Sequence, residues 1–381
     1  MEKVRVGIVG TSWWADTMYL PSLAGTRKAI ITSCCGRNEE HARKLAKLWN
    51  IPKVYTDWKI MLDEEPLDAL IITTPNDTHC PITLAALEKG LHVLCEKPLA
   101  LDYTEARCMV EAAKEHKAIT MVPFTYSFLP MTQTIKRLLN EGYLGNPYHL
   151  NFRYNANYGR SPEYSWRFDQ KRAGSGSLGD IGSHFIYLSV WFFGAVTHVS
   201  AELCTFIERP DLDPTGQPYV RADDFSIIVL TFSNGAKGVV QATTVAHEPT
   251  PWGQTHYFDL HGSGGTLRGW TDWEKTYKLL GAKAEEKQFQ EIEIPELIQE
   301  GQQLGDIQQM YKETFRKRGQ MTGEFIEAVA SGKTCSPTFE DGAEIQRILD
   351  AAFLSSQEGR KVDIKEIYRL LFSNRFLCTI T

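Results

Sequence analysis

Over the first ~125 residues the chain alternates short apolar runs with stretches of helical spacing, and no other feature restricts the fold as tightly. That rhythm belongs to βα units wrapped around a parallel sheet. Val4–Val9 is an unbroken apolar run followed by a glycine turn and a helix-like segment. Further strands fall at 30–35, 67–73, 91–95 and 119–123, with helical spacing between them at 39–49, 82–89 and 104–116. Strands this apolar are buried on both faces. The expected fold is a Rossmann-type doubly wound parallel sheet.

Beyond Phe124 the pattern changes. Longer strands are expected at 149–157, 198–207, 225–232, 238–245 and 256–262, with Asn234-Gly235 as a tight hairpin turn. Helices are expected at 131–141, 178–193 and about 340–356, and 208–224 reads as a Pro- and Asp-rich loop. The 381 residues therefore divide into a dinucleotide-binding domain, 1–124, and an α+β domain, 125–381, on a large open, mostly antiparallel sheet. The polar stretch 283–319 has too little pattern to place.

The first turn reads Gly7-Ile8-Val9-Gly10-Thr11-Ser12-Trp13-Trp14-Ala15. Backbone N–H groups and a helix dipole at such a turn suit a pyrophosphate. Gly10 and Ala15 match the dinucleotide pattern, and Ser12 stands where its middle glycine belongs. At the end of the second strand, Gly36-Arg37-Asn38 offers no carboxylate to a ribose 2′-hydroxyl, while the Arg37 guanidinium suits a 2′-phosphate. The expected cofactor is NADP, with NAD as the alternative.

Two further groups carry chemistry. Glu96-Lys97-Pro98 ends the fourth strand, on the sheet edge that faces ligands; a lysine there orients and polarises a substrate hydroxyl. Its bland reading is a surface Lys–Glu pair. Asp180 and His184 follow a Gly174-Ser175-Gly176 turn, four apart and so on one helix face. Histidine titrates near neutrality and accepts the proton when an alcohol becomes a carbonyl. The bland reading is a pair that merely supports its helix. Aromatics crowd these motifs: Tyr126, Tyr154, Tyr158, Tyr164, Trp166 and Tyr187. Sugar rings stack on such faces, and Tyr126, Tyr158, Trp166, Asp180 and Tyr187 are the expected substrate contacts. His149, His198, His256 and His261 show no ligand spacing and read as structural, and no metal site is expected.

Together these motifs resemble the Gfo/Idh/MocA oxidoreductases, the group of glucose–fructose oxidoreductase and inositol dehydrogenase, over nearly the whole chain. The resemblance implies that Lys97, Asp180 and His184 form the catalytic set: His184 the acid/base, Lys97 the hydroxyl-orienting residue, Asp180 a substrate anchor. It implies cofactor contacts from Gly10, Ser12, Trp13, Trp14, Arg37, Asn38, Glu96 and Lys97. It also implies a nicotinamide-side loop of Thr74, Pro75, Asn76 and His79, and a Trp166-Arg167 step. Lys97-Pro98 is expected to be cis, and Ser336 to Val362 resembles the family's closing helix. The reaction expected is hydride transfer between nicotinamide and a carbinol or carbonyl carbon of a sugar, polyol, cyclitol or dihydrodiol. A homodimer or homotetramer through the C-terminal sheet is also implied. Ser12, the Gly-Ser-Gly turn and Tyr187, where many members have Asp, depart from the family pattern; the last bears on substrate identity.

A net charge of −6 gives no broad attraction to nucleic acid or anionic membranes. The apolar stretch 185–196 falls short of the ~20 residues a bilayer needs, and Met1-Glu2-Lys3 runs straight into a strand without a signal-like segment. The eight cysteines form no CxxC pair and read as free thiols in a reducing cytoplasm. Two other functions of the same fold stay open: an NAD-dependent glycoside hydrolase working through transient oxidation, and a dinucleotide-binding regulator without turnover.

Overall fold

The computed structural model describes residues 3–250, 252–273, 276–294 and 321–373. The chain folds into two units. One takes its described residues from Met1–Ala100, Thr104–Pro123 and Gln302–Ala343, the other from Leu101–Tyr103, Phe124–Gly301 and Glu344–Thr381.

The first unit is built on strands β1 (Val4–Val9), β2 (Ala29–Cys35), β3 (Lys53–Tyr55), β4 (Ala69–Ile72), β5 (His92–Cys95) and β6 (Thr120–Met121). Their order is β3-β2-β1-β4-β5-β6, with every pair parallel. All four residues of β4 are buried, as a two-sided sheet demands. The connecting helices are α1 (Leu20–Gly25), α2 (Glu39–Trp49), α3 (Trp58–Glu64), α4 (His79–Glu88) and α5 (Tyr103–Glu115). The sequence shows why α2 starts and stops where it does. The Asn38 side chain accepts from His41 N, Glu39 and Glu40 sit in the first turn, and Asn50 ends the helix at φ 54°. The helix Thr322–Ser331, far along the chain, also belongs to this unit, burying Phe325 and Ile326 and pairing Glu327 with Lys28. The pattern after Phe124 gave no hint of that return. β3 and α3 were likewise missed, being too short to leave a period.

The second unit centres on nine strands: β7 (Pro147–Ala156), β8 (Val196–Cys204), β9 (Phe225–Phe232), β10 (Lys237–Thr243), β11 (Gln254–Gly262), β12 (Gly265–Thr271), β13 (Tyr277–Lys283), β14 (Gln290–Glu291) and β15 (Val362–Asp363). Their order is β14-β13-β12-β11-β7-β10-β9-β8-β15, antiparallel throughout except that β7 and β10 run parallel. Phe152, Leu150, Ile228, Leu230 and Val240 point to one buried face, while Val229 and Trp270 on the other remain exposed. Helices α6 (Pro130–Asn140) and α7 (Ser183–Phe193) belong to this unit; Phe185, Ile186 and Leu188 of α7 are fully buried. β12 and β13 went unrecognised because Gly265, Gly269 and Gly281 break their apolar alternation. Most of the unplaced stretch 283–319 lies outside the described residues; its described part holds the end of β13 and the short β14.

The expected helix 178–193 is corrected at its start. Leu178–Gly182 winds as a wide π turn before α7 begins. Gly179 and Gly182 lower the cost of leaving α geometry there. Among the described residues six cysteines are free thiols, but Cys108 is disulfide-bonded, so the reading of free thiols throughout does not hold at that residue. Among the described residues no helix is long and apolar enough to cross a membrane, and no group of three His, Cys, Asp or Glu is placed to hold a metal.

Candidate active site

In the first unit the site begins where β1 and β4 end side by side. Sheet order reverses at this point, and ligands of open α/β sheets bind outside the carboxyl ends there. Gly10 has φ +109°, and a Cβ on it would lie 2.3 Å from Thr73 Oγ1 and 2.7 Å from Thr73 O. Only glycine fits. The Thr73 hydroxyl in turn donates to Gly10 O at 3.2 Å, fixing the turn. Ser12 and Trp13 stand exposed just beyond it, and the rings of Trp13 and Trp14 meet edge to face at 5.2 Å. Ala15–Tyr19 then forms a π turn before α1. A phosphate-bearing dinucleotide fits this turn: Gly10 takes a conformation and a close approach to Thr73 that a side chain would forbid, and Ser12 beside it is exposed.

Arg37 and Asn38 are exposed at the end of β2. Asn38 is occupied as the cap of α2, and the next acid along the chain, Glu39, pairs with Arg43 at 2.6 Å. That leaves Arg37 as the charged group at the position where ribose specificity is decided.

Glu96 is buried. Its Oε1 accepts from Trp14 Nε1 and from the Tyr19 hydroxyl, and its Oε2 accepts from Lys97 N at 3.0 Å. Burial and the adjacent Glu96 charge raise Tyr19 well above the usual phenol range. Lys97 is half-buried, and its bond to Pro98 is cis. His79 is fully buried with its two ring nitrogens against Pro98 O at 3.0 Å and Thr74 O at 2.9 Å. One imidazole thus links the loops after β4 and β5. Thr74 is held by the Thr78 hydroxyl at 2.7 Å, Pro75 precedes a short 3₁₀ turn, and Asn76 is buried in it.

In the second unit two groups form around the helix of Asp180 and His184. Asp180 Oδ2 accepts from the Tyr158 hydroxyl at 2.6 Å and from Arg167 Nε at 3.2 Å, while the Arg167 guanidinium stacks on Trp166 at 4.6 Å. Tyr158 is exposed as a residue, but loss of water around its hydroxyl and the adjoining Asp180 carboxylate hold that hydroxyl well above its usual range, so it donates at neutral pH. His184 sits in an aromatic nest. Tyr126 lies 4.5 Å from its ring and Phe124 6.4 Å, and Phe124 stacks on Tyr187 at 4.3 Å.

Behind Tyr126 runs a buried polar chain. Tyr154 donates to Gln254 Oε1 at 2.8 Å, so Tyr126 must be the donor in its own 2.8 Å bond to Tyr154. His256 packs 5.0 Å from Tyr126 and 4.0 Å from Tyr154, and burial lowers it to about 3. It is neutral, as a structural histidine would be, yet it lines the wall behind the candidate catalytic ring. Gln254 and Tyr19 were not singled out by sequence, and His256 was read only as a structural histidine; an isolated polar residue in an apolar run leaves no period to detect.

Both units match one family of protein models. Residues 4–124 match the oxidoreductase family NAD-binding Rossmann fold, and residues 136–364 match the same family's C-terminal alpha/beta domain. The chain belongs to the Gfo/Idh/MocA oxidoreductase family. Among relatives within it, levoglucosan dehydrogenase of Pseudarthrobacter phenanthrenivorans is 28% identical, over 96% of this chain and all of that protein. The scyllo-inositol 2-dehydrogenase (NADP(+)) IolU of Bacillus subtilis is 30% identical, over 60% of this chain and 69% of its own length. Among solved structures, levoglucosan dehydrogenase in complex with NADH and levoglucosan superposes with a TM-score of 0.83 at 28% identity, covering 95% of this chain and all of that one. An oxidoreductase domain protein from Kribbella flavida gives 0.81 at 30% identity, covering 96% of this chain and all of that one. As a Gfo/Idh/MocA protein the chain carries an NAD-binding Rossmann domain and an oxidoreductase function.

Proposed function

We propose that this chain is a dehydrogenase that oxidises a carbinol carbon of a sugar, polyol, cyclitol or dihydrodiol, or reduces the matching carbonyl, with NADP preferred over NAD. The observation that carries the substrate class is the Asp180 constellation. A carboxylate held by Tyr158 and Arg167, on the same helical segment as a buried histidine ringed by aromatics, suits a hydroxyl-rich ring. The relatives that act on levoglucosan and scyllo-inositol support the same class.

The dinucleotide, when bound, supplies the hydride acceptor or donor. Gly10 and its neighbours Ser12, Trp13 and Trp14 hold the pyrophosphate side, and Thr74, Pro75, Asn76 and His79 shape the nicotinamide side. Trp166-Arg167 completes the cofactor contacts. Glu96 fixes the backbone of Lys97, whose ammonium orients and polarises the substrate hydroxyl. His184 takes the hydroxyl proton at its ring and returns it in the reverse direction. Asp180 anchors a neighbouring hydroxyl, and Tyr126, Tyr158 and Tyr187 set the walls. Arg37 pairs with a 2′-phosphate, which favours NADP.

The proposal extends to organisation. Residues 1–124 bind the dinucleotide; 125–381 bind substrate and join copies of the chain into a dimer or tetramer through the large sheet. A cytoplasmic setting is part of the same reading: six of the described cysteines are free, as a reducing compartment favours, while the disulfide at Cys108 runs against it. The experiment is a panel of levoglucosan, inositols and simple sugars with NAD and NADP, read by the absorbance of reduced nicotinamide. Turnover of at least one cyclic polyol, faster with NADP, is expected. Product without net change in cofactor absorbance would instead favour the hydrolytic alternative.

A further inference from the structure

Asp223 stands just ahead of β9, in the loop that leads into it, and its side chain reaches the turn from which the helix of Asp180 and His184 starts. Its Oδ1 accepts from Gly176 N at 2.7 Å, and its Oδ2 accepts from the Ser177 hydroxyl at 2.6 Å and from Leu178 N at 2.8 Å. Its own backbone carbonyl accepts from Ser177 N at 2.8 Å. Three consecutive residues are thus tied to one carboxylate, and the turn then closes on itself through Asp180 N donating to Gly176 O at 2.9 Å. The fit is close on the other side too: a Cβ on Gly176 would lie 1.9 Å from Asp223 O.

The neighbouring acid has a different task. Asp224 is fully buried against Arg209 at 2.8 Å and receives Phe206 N and Ile207 N. Adjacent carboxylates therefore divide the work, one neutralising a buried guanidinium and the other capping the start of a helical segment.

We infer that Asp223 is a positioning residue of the active site, setting the origin of the helical segment so that Asp180 and His184 take their working positions. The inference rests on the proposed roles of those two residues. Burial raises the Asp223 carboxyl, and the Ser177, Leu178 and Gly176 donors oppose that rise. A carboxylate is required because every group facing it is a donor; an amide in its place sets N–H against N–H at one of them.

The test compares Asp223→Asn, Gly176→Ala and the milder Ser177→Ala with His184→Ala and a core truncation elsewhere in the sheet, Leu267→Val. Two readouts are used: turnover of levoglucosan with NADP or NAD, and the ring resonances of the histidines in isotope-labelled protein. Asp223→Asn and Gly176→Ala are expected to lower kcat at least tenfold, with the dinucleotide dissociation constant within twofold of wild type. Both should shift or broaden the His184 signals while those of His149 and His261 stay put. Ser177→Ala should move His184 in the same direction by less, and the Asp223→Asn/Ser177→Ala double variant should be no worse than Asp223→Asn alone. An unshifted His184 signal in Asp223→Asn, or an equal disturbance in Leu267→Val, would overturn the inference. A fully active His184→Ala would instead remove the catalytic reading, leaving the resonance arm to decide Asp223 by itself.

Discussion

The Tyr158 hydroxyl donates to Asp180 Oδ2 at 2.6 Å, and it does so as a phenol whose ionisation is pushed far above neutral pH. The carboxylate is thereby held in one orientation by an uncharged donor, with Arg167 sharing the same oxygen. Removing the hydroxyl frees Asp180 to turn toward the guanidinium. Tyr158→Phe should raise KM for a cyclic polyol more than it lowers kcat, with kcat/KM down roughly tenfold, the size of one hydrogen bond to a charged group. Steady-state kinetics on the best substrate of the panel decides it. An unchanged KM would mean that Asp180 does not anchor substrate.

Gly10 offers the sharpest backbone test. Its φ of +109° and the 2.3 Å approach of any Cβ to Thr73 leave no room for alanine. Gly10→Ala should weaken dinucleotide binding at least tenfold and lower Tm, since strain of this kind costs about 1–3 kcal/mol. Fluorescence titration and a melting curve measure the two effects. Wild-type affinity in the variant would place the pyrophosphate elsewhere.

Arg37 should discriminate between the two dinucleotides. Exposed and with no carboxylate between Cys35 and Glu39, it is the group a 2′-phosphate would meet. Arg37→Ala should raise the dissociation constant for NADPH roughly tenfold, the loss expected for a charge-assisted pair, and leave that for NADH unchanged. Equal effects on both would remove Arg37 from the cofactor site.

His256 predicts a pH dependence. Its folded value of about 3 lies below its unfolded value near 6.5, because burial disfavours the imidazolium. Above 6.5 neither state is protonated, and this residue contributes no pH dependence. As pH falls from 6.5 toward 3 the unfolded chain takes up a proton that the folded chain refuses, so stability is lost, roughly 3 kcal/mol by pH 4. The gap in Tm between wild type and His256→Gln should move in favour of the variant on acidification from pH 7 to 4. A constant gap would show that His256 titrates alike in the folded and the unfolded protein.

The nucleotide half was legible because its buried parallel strands are apolar runs and its longer helices keep a helical period, with Asn38 capping α2 and Asp57 capping α3. Motifs confined to one turn, Gly10 or Glu96-Lys97-Pro98, were legible for the same local reason. What escaped depends on distant parts of the chain. Asp223 meets Gly176 only after 46 intervening residues, and Tyr154 meets Gln254 across β7 and β11, so no spacing rule ties them together. β12 and β13 escaped because their glycines interrupt the period while the ladder of backbone hydrogen bonds does not need side chains. The π turn at Leu178–Gly182 escaped because 3.6- and 4.4-residue windings place Asp180 and His184 on nearly the same face.

The central claim is that His184 moves the substrate proton while Lys97 orients the hydroxyl. The most direct measurement is single-turnover formation of reduced nicotinamide on mixing the best polyol with dinucleotide-loaded protein, for wild type, Lys97→Ala and His184→Ala. Both variants should bind dinucleotide as wild type does and form product some 10² to 10⁴ times more slowly, the usual contribution of a positioned acid/base group. Near-wild-type rates in either variant would contradict the assignment.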